Sequence, residues 1–417
     1  MQDAVERNNV EIANRGEVKR TFTLKEKLAA LGPGFLIVGS FIGPGTVTSS
    51  TKAGAGYGYE LLWCIIFSVI AVIVMQGMAA RLGVVTQKGL EENLLLDFAD
   101  RPIVRSLLVG LVAVAITIGG FAYMSGDLTG TALGVSALTG VPTSIIAPIW
   151  GFCILLILNF AGDAVKYLER LLGICVIIMA IVFVITMIVV QPDLKALFSG
   201  CIPRVPSGSL MTCLSLIGTT VVPYNMFLHA ASSKRTWKGP EELPLCRFGT
   251  YIPMIIGGVV TGAIMISAAA VMHGMSVKNA MDMAVQLEPT LGSFAQPFMA
   301  IGLVAAGISS AVCTYVLAGI FGWETNRSDK RFTLTNAAVL ITGIVIAGIG
   351  FNPIALIMAA QAVNGIVLPV VVGVTLYLTS THRVMGKYKN TNLQIALGLI
   401  IFFIALYLGL SSVISLF

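Results

Sequence analysis

The stretch Phe41-Ile42-Gly43-Pro44-Gly45-Thr46-Val47-Thr48-Ser49-Ser50 interrupts a long apolar segment near the start of the chain. Pro44 has no N–H to donate, and the glycines on either side of it are flexible, so an α-helix breaks readily here. In a bilayer, the backbone groups released by such a break must be satisfied by protein, water or a ligand. The stretch therefore indicates either a broken membrane helix with a binding site or a simple proline kink.

A second interruption of the same kind lies 179 residues further on, in Leu216-Ile217-Gly218-Thr219-Thr220-Val221-Val222-Pro223-Tyr224-Asn225. Pro223 again stands inside an apolar run. Paired interruptions at corresponding positions of two halves of a chain point to a transporter binding site between two structural repeats. The pair favours the binding-site interpretation of both stretches.

The composition excludes an ordinary soluble domain. The chain has 417 residues, of which 56% are hydrophobic and only 11% are charged, and this balance is typical of a polytopic helical membrane protein. The seven cysteines are scattered without a CxxC pair, so neither a disulfide framework nor a zinc site is predicted. No signal peptide, nucleophile–base set or cofactor-binding loop is readable, and we expect neither an enzyme nor a cofactor.

Eleven membrane spans are predicted, of which the first and sixth are broken. Their approximate bounds are 27–56, 58–82, 104–135, 143–160, 165–191, 208–236, 248–273, 291–320, 333–350, 353–379 and 392–416, after a polar arm over residues 1–24. Because five is an odd number, spans one to five (25–191) and six to ten (208–379) would form two repeats of opposite orientation. Each repeat begins with a broken helix, and the span at 392–416 is an addition.

The lysines and arginines predict the orientation of these spans. Of the 26 basic residues, 22 fall on the side of the N-terminus, and the four on the other side are Lys52, Lys195, Arg204 and Lys278. This asymmetry predicts a cytoplasmic N-terminus and, after eleven spans, an outer C-terminus. It also accounts for the net charge of +6 without a nucleic-acid partner. The bilayer is the expected surrounding, and no oligomeric state is predicted.

A few polar residues lie deep within the spans, where an ionisable group suggests function. Asp127 in the third span is either functional or a helix-packing residue. His229 in the sixth can shuttle protons, line the inner vestibule, or simply bond a neighbouring helix. Gln361 and Asn364 in the tenth lie on one face and either face the site or pack against another helix.

The broken segments offer mainly neutral oxygen atoms, which suit a hard ion such as Mg²⁺. Free carbonyl groups near Gly43 and Thr219 are further candidate ligands, and the helix ends add their dipoles. A softer metal is not favoured, because Met226 and His229 lie beyond the break. The side-chain candidates at the two breaks are Thr46, Thr48, Thr219, Thr220, Tyr224 and Asn225.

These residues resemble the Nramp family of divalent-metal transporters, whose first helix breaks at Asp-Pro-Gly-Asn and whose sixth breaks at Met-Pro-His-Asn. The corresponding residues here are Gly43-Pro44-Gly45-Thr46 and Val222-Pro223-Tyr224-Asn225. Similar flanks are Phe227-Leu228-His229, Asp127-Leu128, Tyr167-Leu168-Glu169-Arg170 and Gln361. The resemblance covers nearly all the spans. It implies an all-α, LeuT-type inverted repeat (5+5) with broken helices 1 and 6, plus an eleventh transmembrane helix.

The departures from the family motifs affect the metal ligands. Gly43 replaces the metal-binding aspartate, Thr46 the asparagine, Val222 the methionine and Tyr224 the histidine. A site for dehydrated Mn²⁺ or Fe²⁺ would lose a charged ligand, an amide and a thioether. The pattern is most similar to the Nramp-related magnesium transporters, since a wider neutral cavity can hold Mg²⁺ with part of its water shell.

We therefore expect uptake of a divalent cation, mainly Mg²⁺ with Mn²⁺ as a second candidate, without proton coupling, because position 43 carries no carboxylate. Two other interpretations stay open: a carrier of a neutral or organic solute, and a transport-inactive Nramp-like sensor. The predicted metal site comprises Gly43, Thr46, Thr219, Val222, Tyr224, Asn225 and Gln361. The candidate pathway or proton-relay residues are Asp127, His229 and Asn364.

Overall fold

The computed structural model describes residues 22–160, 164–307, 312–325 and 328–414, and all regular secondary structure within these ranges is helical. The predicted N-terminal arm lies outside the described residues up to position 21. The side chains of Tyr167-Leu168-Glu169-Arg170, which are part of the predicted resemblance, also lie outside the described residues.

The described residues of the first half of the chain form eight helices. They are α1 (Leu24–Phe41), α2 (Pro44–Tyr57), α3 (Leu62–Thr86), α4 (Leu90–Asp97), α5 (Pro102–Thr139), α6 (Thr143–Phe160), α7 (Ala164–Val189) and α8 (Leu194–Gly200). Local sequence fixes several of their ends. Thr23 and Glu26 form a capping box at the start of α1. α5 begins with Pro102 and is followed by Gly140 in the left-handed conformation.

The described residues of the second half form both long helices and short ones. They are α9 (Leu210–Thr220), α10 (Pro223–Thr236), α11 (Leu243–Met272), α12 (Ala280–Ala284), α13 (Glu288–Leu291), α14 (Ala295–Ala306), α15 (Val312–Phe321), α16 (Lys330–Gly348), α17 (Pro353–Ser380), α18 (His382–Met385) and α19 (Asn392–Ile414).

Most apolar segments of the described chain coincide with predicted spans, but the segment Ala280–Ala306 begins before the predicted eighth span at 291–320 and ends inside it. Eight are long and apolar enough to cross a bilayer, and α1 with α2 adds a ninth as a pair bent by 61°. Two shorter apolar helices, Thr143–Leu156 and Gly173–Val189, lie at the fourth and fifth predicted spans. Large apolar side chains such as Leu107, Ile181 and Phe403 remain exposed on the outer helices, as expected for surfaces that face lipid.

The two broken spans lie at the centre of the helix bundle. α2 packs against α9 and α11, and α9 also packs against α17. α5 packs along α17, α14 and α16, and it also touches α2. This arrangement surrounds the breaks with protein, which is the condition under which irregular backbone is tolerated at membrane depth.

Candidate metal site at the two helix breaks

The first break separates α1 from α2. α1 ends at Phe41, Ile42 has φ −80° and ψ 85°, and Gly43 is extended with φ −133° and ψ −171°. α2 then starts with Pro44. A proline disfavours the helical conformation of the residue before it but suits the first position of a helix. The break predicted from the sequence is confirmed, and a simple kink is excluded.

The second break repeats this local geometry. α9 ends at Thr220, Val221 has φ −96° and ψ 70°, and Val222 is extended with φ −74° and ψ 122°. Pro223 begins α10. Each break therefore consists of two non-helical residues followed by a proline. Because each break ends one helix and begins another, carbonyl groups and N–H groups without intrahelical partners meet at both.

Hydroxyl groups join the two breaks directly. The hydroxyl oxygens of Thr46 and Thr219 are 2.8 Å apart. Thr46 donates its own proton to the carbonyl group of Phe41, so Thr219 donates to Thr46. One turn further along α2, the hydroxyl oxygens of Ser49 and Ser215 are 2.5 Å apart. The structure thus brings together Thr46 and Thr219, which the sequence places 173 positions apart.

Two buried amides near the breaks have no hydrogen-bond partner within the described residues. Asn225 follows the second break by one turn, and Gln361 projects from α17; both are fully buried. Neither the oxygen nor the nitrogen of either amide is hydrogen-bonded there. Nε2 of Gln361 lies 2.2 Å from the place that a Cβ on Gly45 would occupy. A buried amide left unpaired costs free energy, so a ligand or its water can satisfy these groups.

Apolar and aromatic side chains close the same region. Val222 is fully buried, and it forms an apolar wall where the family motif has a thioether. Tyr224 is 3% exposed, and its ring packs edge-on against Tyr123 with the centroids 5.6 Å apart. Thr48 and Thr220 are also buried. Thr220 donates to the carbonyl group of Leu216, whereas the hydroxyl of Thr48 has no partner among the described residues.

The third span supplies a carboxylate beside the first break. Asp127 is 1% exposed, and its Oδ1 lies 3.9 Å from the place of a Cβ on Gly43. Tyr123 Oη lies 3.8 Å from that place, and the carbonyl oxygen of Ala306 lies 3.6 Å from it. Tyr123 was not predicted from the sequence, although its spacing of four residues from Asp127 puts both on one helix face.

His229 and Asn364 contact side chains and backbone of neighbouring helices. Nδ1 of His229 is 3.1 Å from Oε1 of Gln76, and its Nε2 is 3.4 Å from the hydroxyl of Thr250. This fully buried imidazole thus joins α10 to α3 and α11, which supports the helix-bonding interpretation. Oδ1 of Asn364 packs against Gly119 of α5 and lies 2.9 Å from the position that a Cβ on Gly119 would occupy. Pathway roles for both residues stay predictions.

The electrostatics of the site suit a cation. The carbonyl ends of α1 and α9 carry partial negative charge. In the described ranges, no group of three or more His, Cys, Asp or Glu side chains converges as a metal cluster. The oxygen donors at the breaks are therefore neutral hydroxyl, amide and carbonyl groups, with Asp127 as the neighbouring acid.

Comparison with known proteins identifies the family of the chain. The family model "Natural resistance-associated macrophage protein-like" matches residues 34–415. The divalent metal cation transporter MntH of Aeromonas hydrophila is 29% identical, over 93% of this chain and 95% of that relative. A crystal structure of the Eremococcus coleocola manganese transporter has a TM-score of 0.77 at 22% identity, over 96% of this chain and 89% of that one.

A more distant transporter has a similar fold. Mhp1, of the nucleobase-cation-symport-1 family, superposes with a TM-score of 0.54 at 13% identity, over 90% of this chain and 91% of that one. This likeness concerns the fold alone, and with the Eremococcus structure it confirms the predicted LeuT-type class. The family match also confirms that the chain is a transporter without a cofactor requirement, not an enzyme. The chain is a member of the Nramp family of divalent-metal transporters.

Proposed function

We propose that this transporter carries Mg²⁺ as its main substrate, with Mn²⁺ as a second cation, and that it holds the ion partly hydrated. The observation that carries the proposal is the replacement of two ligand types at the breaks. Gly43 and Val222 stand where the family motifs place a carboxylate and a thioether, and the oxygen atoms that the residues of the two breaks themselves supply are neutral. Mg²⁺ prefers oxygen ligands and gives up its water reluctantly, whereas thioethers favour softer metals.

The buried amides fit a hydrated ion. Asn225 and Gln361 can bind either the ion or its waters, because an amide both donates and accepts hydrogen bonds. Their polar atoms have no partners among the described residues. Thr46 and Thr219 hold the two breaks at a fixed separation through their 2.8 Å contact. The relatives named as manganese transporters make Mn²⁺ the natural comparison ion.

The membrane potential can drive this uptake without a second ion. We propose a cytoplasmic N-terminus, so that an inside-negative potential pulls the cation inward. A divalent ion that crosses 100 mV gains about 4.6 kcal/mol, at ~2.3 kcal/mol per charge. No carboxylate stands at Gly43 to bind a proton in exchange for the metal. Proton-independent transport is therefore part of the proposal.

Substitutions at the breaks test the assignment of the site. Thr46→Asp and Tyr224→Ala should change Mg²⁺ and Mn²⁺ uptake by purified protein in liposomes, because both residues are buried beside the breaks. Thr46→Asp adds a charged ligand and should favour Mn²⁺ relative to Mg²⁺. Leu399→Ala is the control, since Leu399 is 42% exposed on α19. Equal effects of the three substitutions on uptake would exclude the assigned site.

A further inference from the structure

We propose that Asp127 supplies the negative charge of this site from the side, as an acceptor of hydrogen bonds from the water shell of the cation. The inference rests on the proposed function and specifies how the ion is held. The carboxylate is not a direct ligand at the break. It lies on a neighbouring helix and binds the ion through its waters, which selects for a cation that keeps them.

The position of Asp127 relative to Gly43 carries the inference. An acidic side chain at position 43 would start from a Cβ that lies 3.9 Å from Oδ1 of Asp127. The carboxylate of Asp127 therefore borders the volume that the family's aspartate would fill. In this chain Gly43 leaves that volume open, and the acid that borders it stands on α5.

The groups around this volume fit a water molecule. The carbonyl oxygen of Ala306 and Oη of Tyr123 lie 3.6 Å and 3.8 Å from the same Cβ place, so polar atoms face it from α14 and α5. The Tyr123 hydroxyl donates to the carbonyl group of Ser40 at 2.5 Å, which holds its oxygen in position. A buried water needs two to four polar partners, and these three oxygens can provide them.

The position of Asp127 at membrane depth also fits a role in ion binding. Asp127 is 1% exposed in the middle of α5, and acidic groups at such positions normally serve ions or substrates. The ligands at the two breaks are neutral, so a divalent ion there has no compensating charge of its own. Asp127 provides that charge while leaving the water shell of the ion intact.

Two substitutions separate this role from a structural one. Asp127→Asn removes the charge and keeps the shape of the side chain. Gly43→Ala leaves Asp127 in place but fills the volume with a methyl group. Its new contacts of 3.6–3.9 Å are ordinary packing distances, and φ at Gly43 is −133°, so the alanine is accommodated. Ser125→Ala is the matched control, because the Ser125 hydroxyl only donates within α5, to Ala122.

The experiment is a titration calorimetry series on the purified proteins with two cations. One is Mg²⁺, and the other is hexaamminecobalt(III), whose inert ammine ligands imitate the waters of hydrated Mg²⁺ and do not exchange. The wild type and Ser125→Ala should bind both cations. Asp127→Asn and Gly43→Ala should each weaken binding of both by about tenfold or more, the effect of one lost charge-assisted hydrogen bond.

A relocated carboxylate gives the decisive contrast. In the double variant Gly43→Asp/Asp127→Asn, the carboxylate stands at the break, where it can bind the ion directly. This double variant should recover Mg²⁺ binding but not hexaamminecobalt(III) binding, a split that a packing defect cannot produce. Equal affinities in the wild type and Asp127→Asn would overturn this inference alone, as would recovery of both cations in the double variant. Absence of Mg²⁺ binding by the wild type would overturn the proposed function instead.

Discussion

Replacing Gly45 by alanine tests the site where α2 touches α17. A Cβ on Gly45 lies 2.2 Å from Nε2 and 2.5 Å from Cδ of Gln361, whereas ordinary contacts begin at 3.4 Å. The methyl group must therefore push the amide of Gln361 away by about 1 Å or more, since packed interiors leave no slack. Gln361 is fully buried, so its amide would leave the position from which it reaches the breaks.

The size of the effect follows from the loss of one polar contact. A neutral hydrogen bond contributes about 0.5–1.5 kcal/mol, and every 1.4 kcal/mol is a factor of ten in affinity. The half-saturation concentration for Mg²⁺ should therefore rise by about two- to twelvefold. Helix propensity favours alanine over glycine by about 1 kcal/mol, so α2 itself should form at least as well as in the wild type.

The assay is Mg²⁺ uptake by proteoliposomes over a range of external concentrations, with thermal unfolding measured in parallel. Gly56→Ala is the matched control, because Gly56 lies in the same helix and a Cβ there meets nothing within 4 Å. It should leave half-saturation unchanged. Wild-type half-saturation in Gly45→Ala would refute the assignment of Gln361 to the site. If Gly45→Ala lowers the unfolding temperature but leaves the half-saturation concentration for Mg²⁺ unchanged, Gln361 contributes to packing and not to ion binding.

Two other predictions concern groups away from the site. Burial raises the pKa of Glu91 on α4, outside the spans, from 4.5 to about 7. Its protonated form stabilises the fold below pH 4.5, and this stability is lost as the pH rises through about 7. The unfolding temperature should therefore fall over that pH range. Glu91→Gln, which cannot ionise, should make this fall smaller. His229→Ala leaves Gln76 and Thr250 without their partner, so it should lower the free energy of unfolding by ~1–3 kcal/mol. Mg²⁺ half-saturation should stay unchanged, and a shift there would place His229 on the pathway.

The sequence was sufficient to predict the breaks because their causes are local. Pro44 and Pro223 lack an N–H and constrain the residue before them, whatever surrounds them in the fold. The apolar runs are equally local, and the positions of the spans follow from their length. The division into repeats at 25–191 and 208–379, and the orientation of the termini, stay predictions.

The side chains that surround the breaks depend on tertiary packing, so local sequence could not predict them. The two interrupted segments themselves contain no acid, but the path of α5 brings Asp127 beside Gly43. His229 looked free to line a vestibule, yet Gln76 and Thr250 come from two other helices to bond its ring. Residue spacing along one helix predicts a shared face, but it does not say which helix that face meets.

The most direct test of the account is Mg²⁺ influx into proteoliposomes under an inside-negative potential, with the lumenal pH recorded at the same time. We predict that Mg²⁺ and Mn²⁺ both enter, that a proton ionophore does not reduce their entry, and that the lumen does not acidify in proportion to the metal that enters. Influx of Mn²⁺ alone, or metal entry matched by acidification, would contradict an uncoupled magnesium pathway.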